Sequence, residues 1–399
     1  MRARSTPARR ARPGRSTSPG STSSAASRRA CRSSSSSRLE RFDVVVVGAG
    51  PAGATAALNL APTRRTLLVD RWAAPRPRVG ESLPGAAHRL MIDMGLWDGF
   101  VADGHAPRHV HRGAWGGPEP VERHSLGDPD GHGWHLDRVR FEQRLRATAI
   151  VRGAAQAAPA RLITLDRDGS GWRMGLAHAG GVTEVWARLV IDASGRSSRL
   201  LSGHGARRRM EDRLVCAWVR TAGGALPAGV TQIEAEADGW WYAAPLPGGE
   251  ALLAFHTDAD LPAARAVRTS GGLLARARSL PMLGQLFGST PDITSDGYCT
   301  ARGARLEQAA GEGWLACGDA ALAFDPLSAQ GLFNALYTGL AAAETADRML
   351  EGDAGAGAEY TADVNRVWAA YKAHHAAWYG MEQRWTDRPF WDRRRAATA

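Results

Sequence analysis

Lysine is almost missing from this chain. All but one of its 50 basic residues are arginine, and the exception is Lys372. Any chemistry that relies on a lysine amine has that single candidate. No run of eighteen apolar residues occurs, which excludes a predicted membrane-spanning helix. Cysteine is sparse. Cys31, Cys216, Cys299 and Cys317 are scattered without metal-type spacing, so no metal is expected and reduced, structural thiols of a cytoplasmic protein are. Acid is absent from residues 1–39, which hold ten arginines. Removing those ten leaves 40 basic residues to balance all 40 acids. The +10 formal charge therefore belongs to the tail, and it is no argument that the fold binds nucleic acid.

That tail, residues 1–39, is rich in Arg, Ser and Pro and has no apolar periodicity, so disorder is expected. It lacks the apolar core of a secretory signal, and Arg28-Arg29 has no apolar continuation of an export signal. A dispensable extension or an over-long start of translation is the expectation. The 399 residues suffice for two domains, and no internal repeat is present.

What is present begins at Asp43-Val44-Val45-Val46-Val47, a β-branched run suited to a strand buried on both faces of a parallel sheet. Gly48-Ala49-Gly50-Pro51-Ala52-Gly53 follows. Gly48 allows the tight turn, Gly50 lets backbone approach a pyrophosphate, and Gly53 lets the next helix pack close. That helix, Pro51 to Leu60, would aim its amides and dipole at phosphates. A second strand, Thr66 to Val69, ends in Asp70-Arg71, about twenty residues beyond the glycines, where an acid serves a ribose hydroxyl pair.

Further along, Arg78-Val79-Gly80-Glu81-Ser82-Leu83-Pro84 precedes a helix over Ala86–Leu96, and a His-rich polar stretch covers 105–135. Helical spacing recurs at Arg138, Phe141, Leu145 and Ala149. Strands are expected at 161–166, 171–176, 182–186 and 189–192, the last ending in Asp192-Ala193-Ser194-Gly195-Arg196. Residues 214–221, 231–237, 240–244 and 251–257 read as antiparallel strands, with a helical excursion over 273–287. Strand 313–317 then delivers Gly318-Asp319-Ala320-Ala321 and Asp325-Pro326-Leu327-Ser328-Ala329-Gln330-Gly331. Helices follow at 329–350 and 360–378. Asp319 falls at the carboxyl end of a strand, where open α/β sheets bind ligands, and Gln330-Gly331 opens a helix whose N-terminus favours negative charge. The two glycine segments together describe one cofactor, FAD, held from both ends of a discontinuous domain.

The succession of GAGPAG, Asp137-Arg138-x-x-Phe141-x-x-x-Leu145, Val190-Ile191-Asp192-Ala193-Ser194-Gly195-Arg196 and GDAA…DPLSAQG resembles the FAD-dependent hydroxylases. Within them it is most similar to the branch shared with flavin halogenases and geranylgeranyl-type reductases. Gly80-Glu81-Ser82-Leu83-Pro84 is similar to that branch's GES/T-x-P motif, and the likeness spans about residues 41–395. It implies an α/β fold with a glutathione-reductase-type FAD domain (40–104, 136–204 and 300–352), an inserted antiparallel substrate domain (105–135 and 205–299) and a C-terminal helical segment (353–399). The cofactor contacts it implies are Gly48, Gly50, Pro51, Ala52, Gly53, Asp70, Arg71, Glu81, Ser82, Arg138, Asp192, Gly318, Asp319, Pro326, Gln330 and Gly331.

Flavin halogenases relay hypohalous acid through a lysine near the substrate, and Lys372 lies in the wrong part of the chain for it. Their Trp-x-Trp-x-Ile-Pro motif has an imperfect counterpart in Trp240-Trp241-Tyr242-Ala243-Ala244-Pro245, which suits sheet core and a flavin- or substrate-facing role equally. The expected activity is therefore monooxygenation. Reduced FAD takes O₂ to a hydroperoxide that donates oxygen to an aromatic small molecule or a peptide, with His256 as the candidate base. The DPLSAQG segment is similar to that of flavoproteins that oxygenate a peptidyl tryptophan. The rival is an FAD-dependent reductase or dehydrogenase of geranylgeranyl-reductase type, with a flavin-dependent halogenase behind it. The electron source is NAD(P)H or reduced flavin from a partner reductase. His109 and His111 share a strand face, without a third metal ligand.

Overall fold

Val44, Val45 and Val46 have no exposed surface, because the strand Glu40–Val47 is central to a parallel sheet covered on both faces. The computed structural model describes residues 39–223, 225–287 and 292–396, so the expected disorder of the tail falls outside the described residues but for Leu39. Glu40–Val47 pairs in parallel with Thr66–Val69 on one side and with Gly181–Asp192 on the other. Ala155–Ala157 extends one edge, and Trp314–Ala316 and Ala310–Gly311 the other. Gly171–His178 and Arg161–Asp168 continue antiparallel from Gly181–Asp192 to complete eight strands. The first helix, Pro51–Leu60, is buried nearly all round. It packs on the helices Arg138–Val151 and Gly331–Leu350, where a Cβ at Gly339 would meet Thr55 at 2.9 Å.

A second sheet has seven strands, in the order Asp292–Thr300, Leu214–Ala222, Glu250–Asp258, Gly239–Pro245, Val230–Glu236, Val110–Ala114 and Val121–His124. All neighbours are antiparallel except Val230–Glu236 with Val110–Ala114. The period-2 alternation sends Val219, Trp241, Leu253 and Phe255 to one face, under Leu273, Leu274 and Ala277. It sends Cys216, Trp218, Trp240 and Ala254 to the other, against Tyr379, Phe390 and Trp391 from the C-terminal helices Ala356–Met381 and Pro389–Ala396. A small sheet of Ser82–Leu83, Gly133–His135 and Ala106–Arg108 completes this side of the fold.

Three elements differ from expectation. The strands expected at 182–186 and 189–192 are one, Gly181–Asp192, because no turn-forming residue separates them. Of the helical excursion expected over 273–287, the helix Ser270–Ala277 covers only the start and stops short of Pro281, which cannot continue a helix, and a 3-10 turn, Leu283–Gln285, follows. The helix expected over Ala86–Leu96 is Ala87–Asp93, closed by Gly95 at φ 63°, with Trp97–Ala102 following as a separate helix. No helix of the described residues is long and apolar enough to cross a membrane.

Candidate flavin site and adjoining polar cluster

The turn after the first strand is built on backbone. Gly48 has φ of 105°, open only to glycine at low cost, and its amide donates to Val69 O at 2.8 Å. A Cβ on Gly53 would run into the carbonyl oxygen of Gly48 and lie 2.9 Å from the Ala193 Cβ, so strand and helix are in direct backbone contact there. Around Gly50 the reverse holds: a Cβ would meet nothing within 4 Å. No side chain caps the helix that begins at Pro51. An open space in front of uncapped, positively poled amides fits a pyrophosphate.

Asp70 stands at the end of the next strand and organises that turn. Its Oδ2 accepts from Ala49 N at 2.7 Å and Arg146 Nη2 at 3.3 Å, and its Oδ1 accepts from Trp72 N at 2.7 Å. Arg146 also donates from Nε to Ala49 O at 2.7 Å. Arg71 is exposed, its guanidinium lying over Trp72.

The GES segment is fixed by buried charge. Glu81 has no exposed surface and accepts from Arg220 Nη2 at 2.7 Å and Gly80 N at 2.7 Å. Burial raises its carboxyl above the usual range, against the pull of Arg220 and Arg138. Arg138 donates to Gly80 O and, at 2.5 Å, to Glu142 Oε1. Ser82 Oγ is buried without a partner.

At the end of the strand directly beside Glu40–Val47, Asp192 is committed to its own loop: Oδ1 accepts from Ser194 N at 2.9 Å and Ser194 Oγ at 2.6 Å, and Oδ2 from Ser198 Oγ at 2.5 Å. Asp319 is half-buried and pairs with Arg196 at 3.2 Å. Gly318 donates its amide to Thr338 Oγ1 at 2.8 Å. Asp325 is fully buried and accepts from Leu327 N at 2.9 Å and Tyr379 OH at 2.8 Å, with His375 at 3.5 Å. Burial works against its charge, but His375 and Arg394 outweigh it and hold the carboxyl down to about 2. Pro326 and Gln330 are exposed, and Gly331 starts the 20-residue helix.

The sheet face carrying Trp240 packs against Val79 and Leu327, one residue from each flavin segment. On it, His256 is 2 % exposed and stacks on Trp240, with ring centroids 3.8 Å apart. Burial holds its imidazole neutral, with a pKa lowered to about 3, and its Nδ1 has no partner. Trp240 Nε1 donates to Tyr379 OH at 3.0 Å, and Trp241 lies in the opposite core. The Trp240–Trp241 pair is therefore sheet core.

Next to the GES segment lies a polar cluster that sequence reasoning did not assemble. His135 pairs with Ser82 across the small sheet and meets Thr231 Oγ1 of the large sheet at 2.7 Å. Arg108 donates from Nη1 to His111 Nε2. Burial, and after it the neighbouring Arg108, lowers His111 to about 4 and His135 to about 3, so both rings are neutral at physiological pH. Arg108 Nε, His135 Nδ1 and Tyr242 OH are buried without partners. Among the described residues no group of three or more His, Cys, Asp or Glu is placed to hold a metal. Lys372 lies on the C-terminal helix Ala356–Met381 in an ion pair with Glu211 at 3.2 Å.

Most cofactor positions expected from sequence thus lie on two turns at strand ends. Arg196 closes a recognised motif but was given no partner there, and Arg146, Arg220 and Tyr379 carry no motif, arginine being too common here for any one to stand out.

The family model for tryptophan halogenase matches residues 119–399. FAD-dependent oxidoreductase LodB of Marinomonas mediterranea is 27% identical over 90% of this chain and 99% of its own length. Among solved structures, the myxobacterial chondrochloren halogenase CndH, an FAD-dependent halogenase, is 26% identical with a TM-score of 0.82, over 89% of this chain and 86% of that one. The peptidyl tryptophan dihydroxylase QhpG, essential for tryptophylquinone cofactor biogenesis, shares the fold at 24% identity and a TM-score of 0.72, over 89% of this chain and 78% of that one.

Proposed function

The chain belongs to the tryptophan halogenase family of flavin enzymes, and from that premise we propose that it is a monooxygenase that hydroxylates an aromatic ring. The class, an FAD-dependent oxidoreductase, follows from the family and its relatives. The observation that carries the finer reading is the position of Lys372, the only lysine, paired with Glu211 on a C-terminal helix. The cluster beside the GES segment offers Arg108, His111, His135 and Tyr242, and no amine. A substrate presented there meets no lysine to relay a halogen. The fold shared with QhpG makes a peptidyl tryptophan one candidate ring, beside small aromatic molecules.

In this reading the eight-stranded sheet and its helices serve the cofactor, and the seven-stranded sheet serves the substrate. Gly48, Gly50 and the amides from Ala52 on would receive the pyrophosphate, Asp70 the ribose, Asp319 the sugar chain, and Pro326 to Gly331 with Glu81 and Ser82 would flank the ring system. Bound FAD, reduced by NAD(P)H or by a partner flavin reductase, supplies oxygen transfer from O₂. The buried walls, Trp240 and Trp218 among them, exclude water from that step. The three described cysteines are free thiols, in keeping with the cytoplasmic location we propose.

His256 is the proposed proton acceptor. A ring carbon that has gained oxygen carries an acidic proton, so a neutral imidazole of low pKa with an unpaired nitrogen suffices. General base assistance is worth roughly 10²–10⁴, and for so weak a base the lower end applies. His256→Gln should therefore lower kcat about a hundredfold with FAD content unchanged. Wild-type turnover in that variant would assign the ring to packing on Trp240.

Product mass tests the reaction class. Incubation with reductant, O₂ and bromide should add one oxygen to an aromatic substrate, independently of the halide. A second reading, halogenation, has the family match and the likeness to CndH in its favour. Halide-dependent replacement of a ring hydrogen would establish it. Gain or loss of two hydrogens alone would place the chain with the reductases.

A further inference from the structure

Among the described residues, five arginine side chains are almost fully buried: Arg108, Arg138, Arg146, Arg220 and Arg394. Four of them meet a carboxylate. Arg138 pairs with Glu142 at 2.5 Å, Arg146 with Asp70 at 3.3 Å, Arg220 with Glu81 at 2.7 Å and Arg394 with Asp258 at 2.9 Å. This is how a folded chain compensates a cation that cannot lose its proton. Arg108 is the exception. At 8 % exposure it donates to His111, a neutral acceptor. The acidic groups that influence it are first the Tyr242 phenol and then Asp128, a carboxylate at the end of an exposed turn. Its Nε is buried with no hydrogen bond. The guanidinium lies over Gly133, where any Cβ would collide with Nη2, so the strand opposite is cut back to make room for it.

A guanidinium left without a counter-charge, and with part of its fork unused, matches a planar oxyanion. The surroundings complete a seat for a mixed polar and aromatic guest. His135 Nδ1, Tyr242 OH and Ser82 Oγ are all buried and unpaired. His135 ties this seat through its ladder with Ser82 to the GES segment. We infer that Arg108 binds a carboxylate of the substrate, so that the ring presented for reaction belongs to a carboxylate-bearing aromatic compound. The inference rests on placing the substrate beside the GES segment, but not on the outcome of the reaction.

The carboxylate belongs either to a free aromatic acid or to an acidic side chain next to an aromatic residue in a peptide. The probes are indole-3-acetate and its neutral isostere indole-3-acetamide, with blocked peptides containing Glu-Trp or Gln-Trp. Binding is read on the FAD-loaded enzyme from perturbation of the flavin spectrum. At least one carboxylate probe should bind about tenfold or more tightly than its neutral counterpart, a difference of about 1.4 kcal/mol. Preference among the small probes points to a free acid, and preference only among the peptides to a peptide source. The preference should vanish in Arg108→Gln and be partly kept in Arg108→Lys, both with wild-type flavin content. Equal binding within both pairs, or an undiminished preference in Arg108→Gln, overturns the inference. So does displacement of indole-3-acetate by millimolar chloride in an Arg108-dependent manner, since the seat would then be a halide's. Bound carboxylate with a halogenated product would leave this inference standing and overturn the proposed oxygenation.

Discussion

Acidification from pH 7 to about 4.5 should unfold this chain, with stability falling steeply from about pH 6.5. His105, His111, His135 and His256 are held neutral by burial, with pKa values lowered to about 4, 4, 3 and 3 from an ordinary 6.5. Asp103 and Asp137 oppose the shift at His105 and Asp325 that at His256, without cancelling it. The sign follows from proton counting. Between pH 6.5 and about 4 the unfolded chain binds protons that the folded chain refuses, so stability is complete above the unfolded value and is lost as pH falls. Each ring contributes about 1.4 kcal/mol per pH unit, so four contribute on the order of 5 kcal/mol per unit. Two units then rival the ~5–15 kcal/mol that a fold has in total.

Some carboxylates act in the opposite direction. Burial raises Glu81, Asp192, Asp212 and Glu236, so as the pH falls these take up protons in the folded chain before they do in the unfolded one, offsetting part of the loss. Asp325, held at about 2, adds a further loss only at still lower pH. Melting temperatures measured by circular dichroism across pH 7.5 to 4.5 should therefore decline from the histidine region, and the decline should be shallower in His256→Gln by about a quarter of its slope. A flat profile between pH 7 and 5 would mean that these rings are solvated or protonated in the native chain.

The same residues show how far this fold was legible beforehand. Gly48, Gly50, Gly53 and Asp70 could be read because one short stretch of chain supplies strand, turn, helix and acid in fixed order. Local chemistry alone determines their roles. The helix beginning at Arg138 was legible for the same reason, and Asp137 caps it by accepting from Arg140 N at 3.0 Å. Arg108 was not legible. Its meaning depends on the absence of a carboxylate around it, which is a property of packing among strands distant in sequence. Asp325 shows both cases at once. Its place in a flavin-type turn was visible, but its low pKa depends on His375 and Arg394, 50 and 69 residues further along the chain. Trp240 to Pro245 was ambiguous in sequence because alternation gives the face of each side chain but not which face looks toward the cofactor.

Two glycines three residues apart should fail in different ways. Gly50→Ala is expected to leave the apo fold intact and to lose FAD, whereas Gly53→Val should damage the fold itself. The backbone at Gly50 has φ −72° and ψ −175°, which an alanine adopts freely, and its new methyl would project into open space. If that space is where the pyrophosphate lies, one methyl is enough to push it off the helix amides, and affinity should drop at least about tenfold, or 1.4 kcal/mol. At Gly53 the methyl groups would have to enter the carbonyl of Gly48, and backbone on both sides cannot move without separating strand Glu40–Val47 from helix Pro51–Leu60. Overpacking typically costs about 1–3 kcal/mol when side chains can yield, and here they cannot, so the cost should exceed that range. Melting temperature without FAD and flavin absorbance after reconstitution separate the two effects. Gly50→Ala should melt like the wild type when both are apo, yet forfeit the stabilisation that bound FAD gives, about 4 kcal/mol at a thousandfold excess over Kd. An alanine at position 50 that retained FAD at wild-type affinity would remove the pyrophosphate from this turn, and with it the physical basis for reading the first glycine segment as one half of a flavin site.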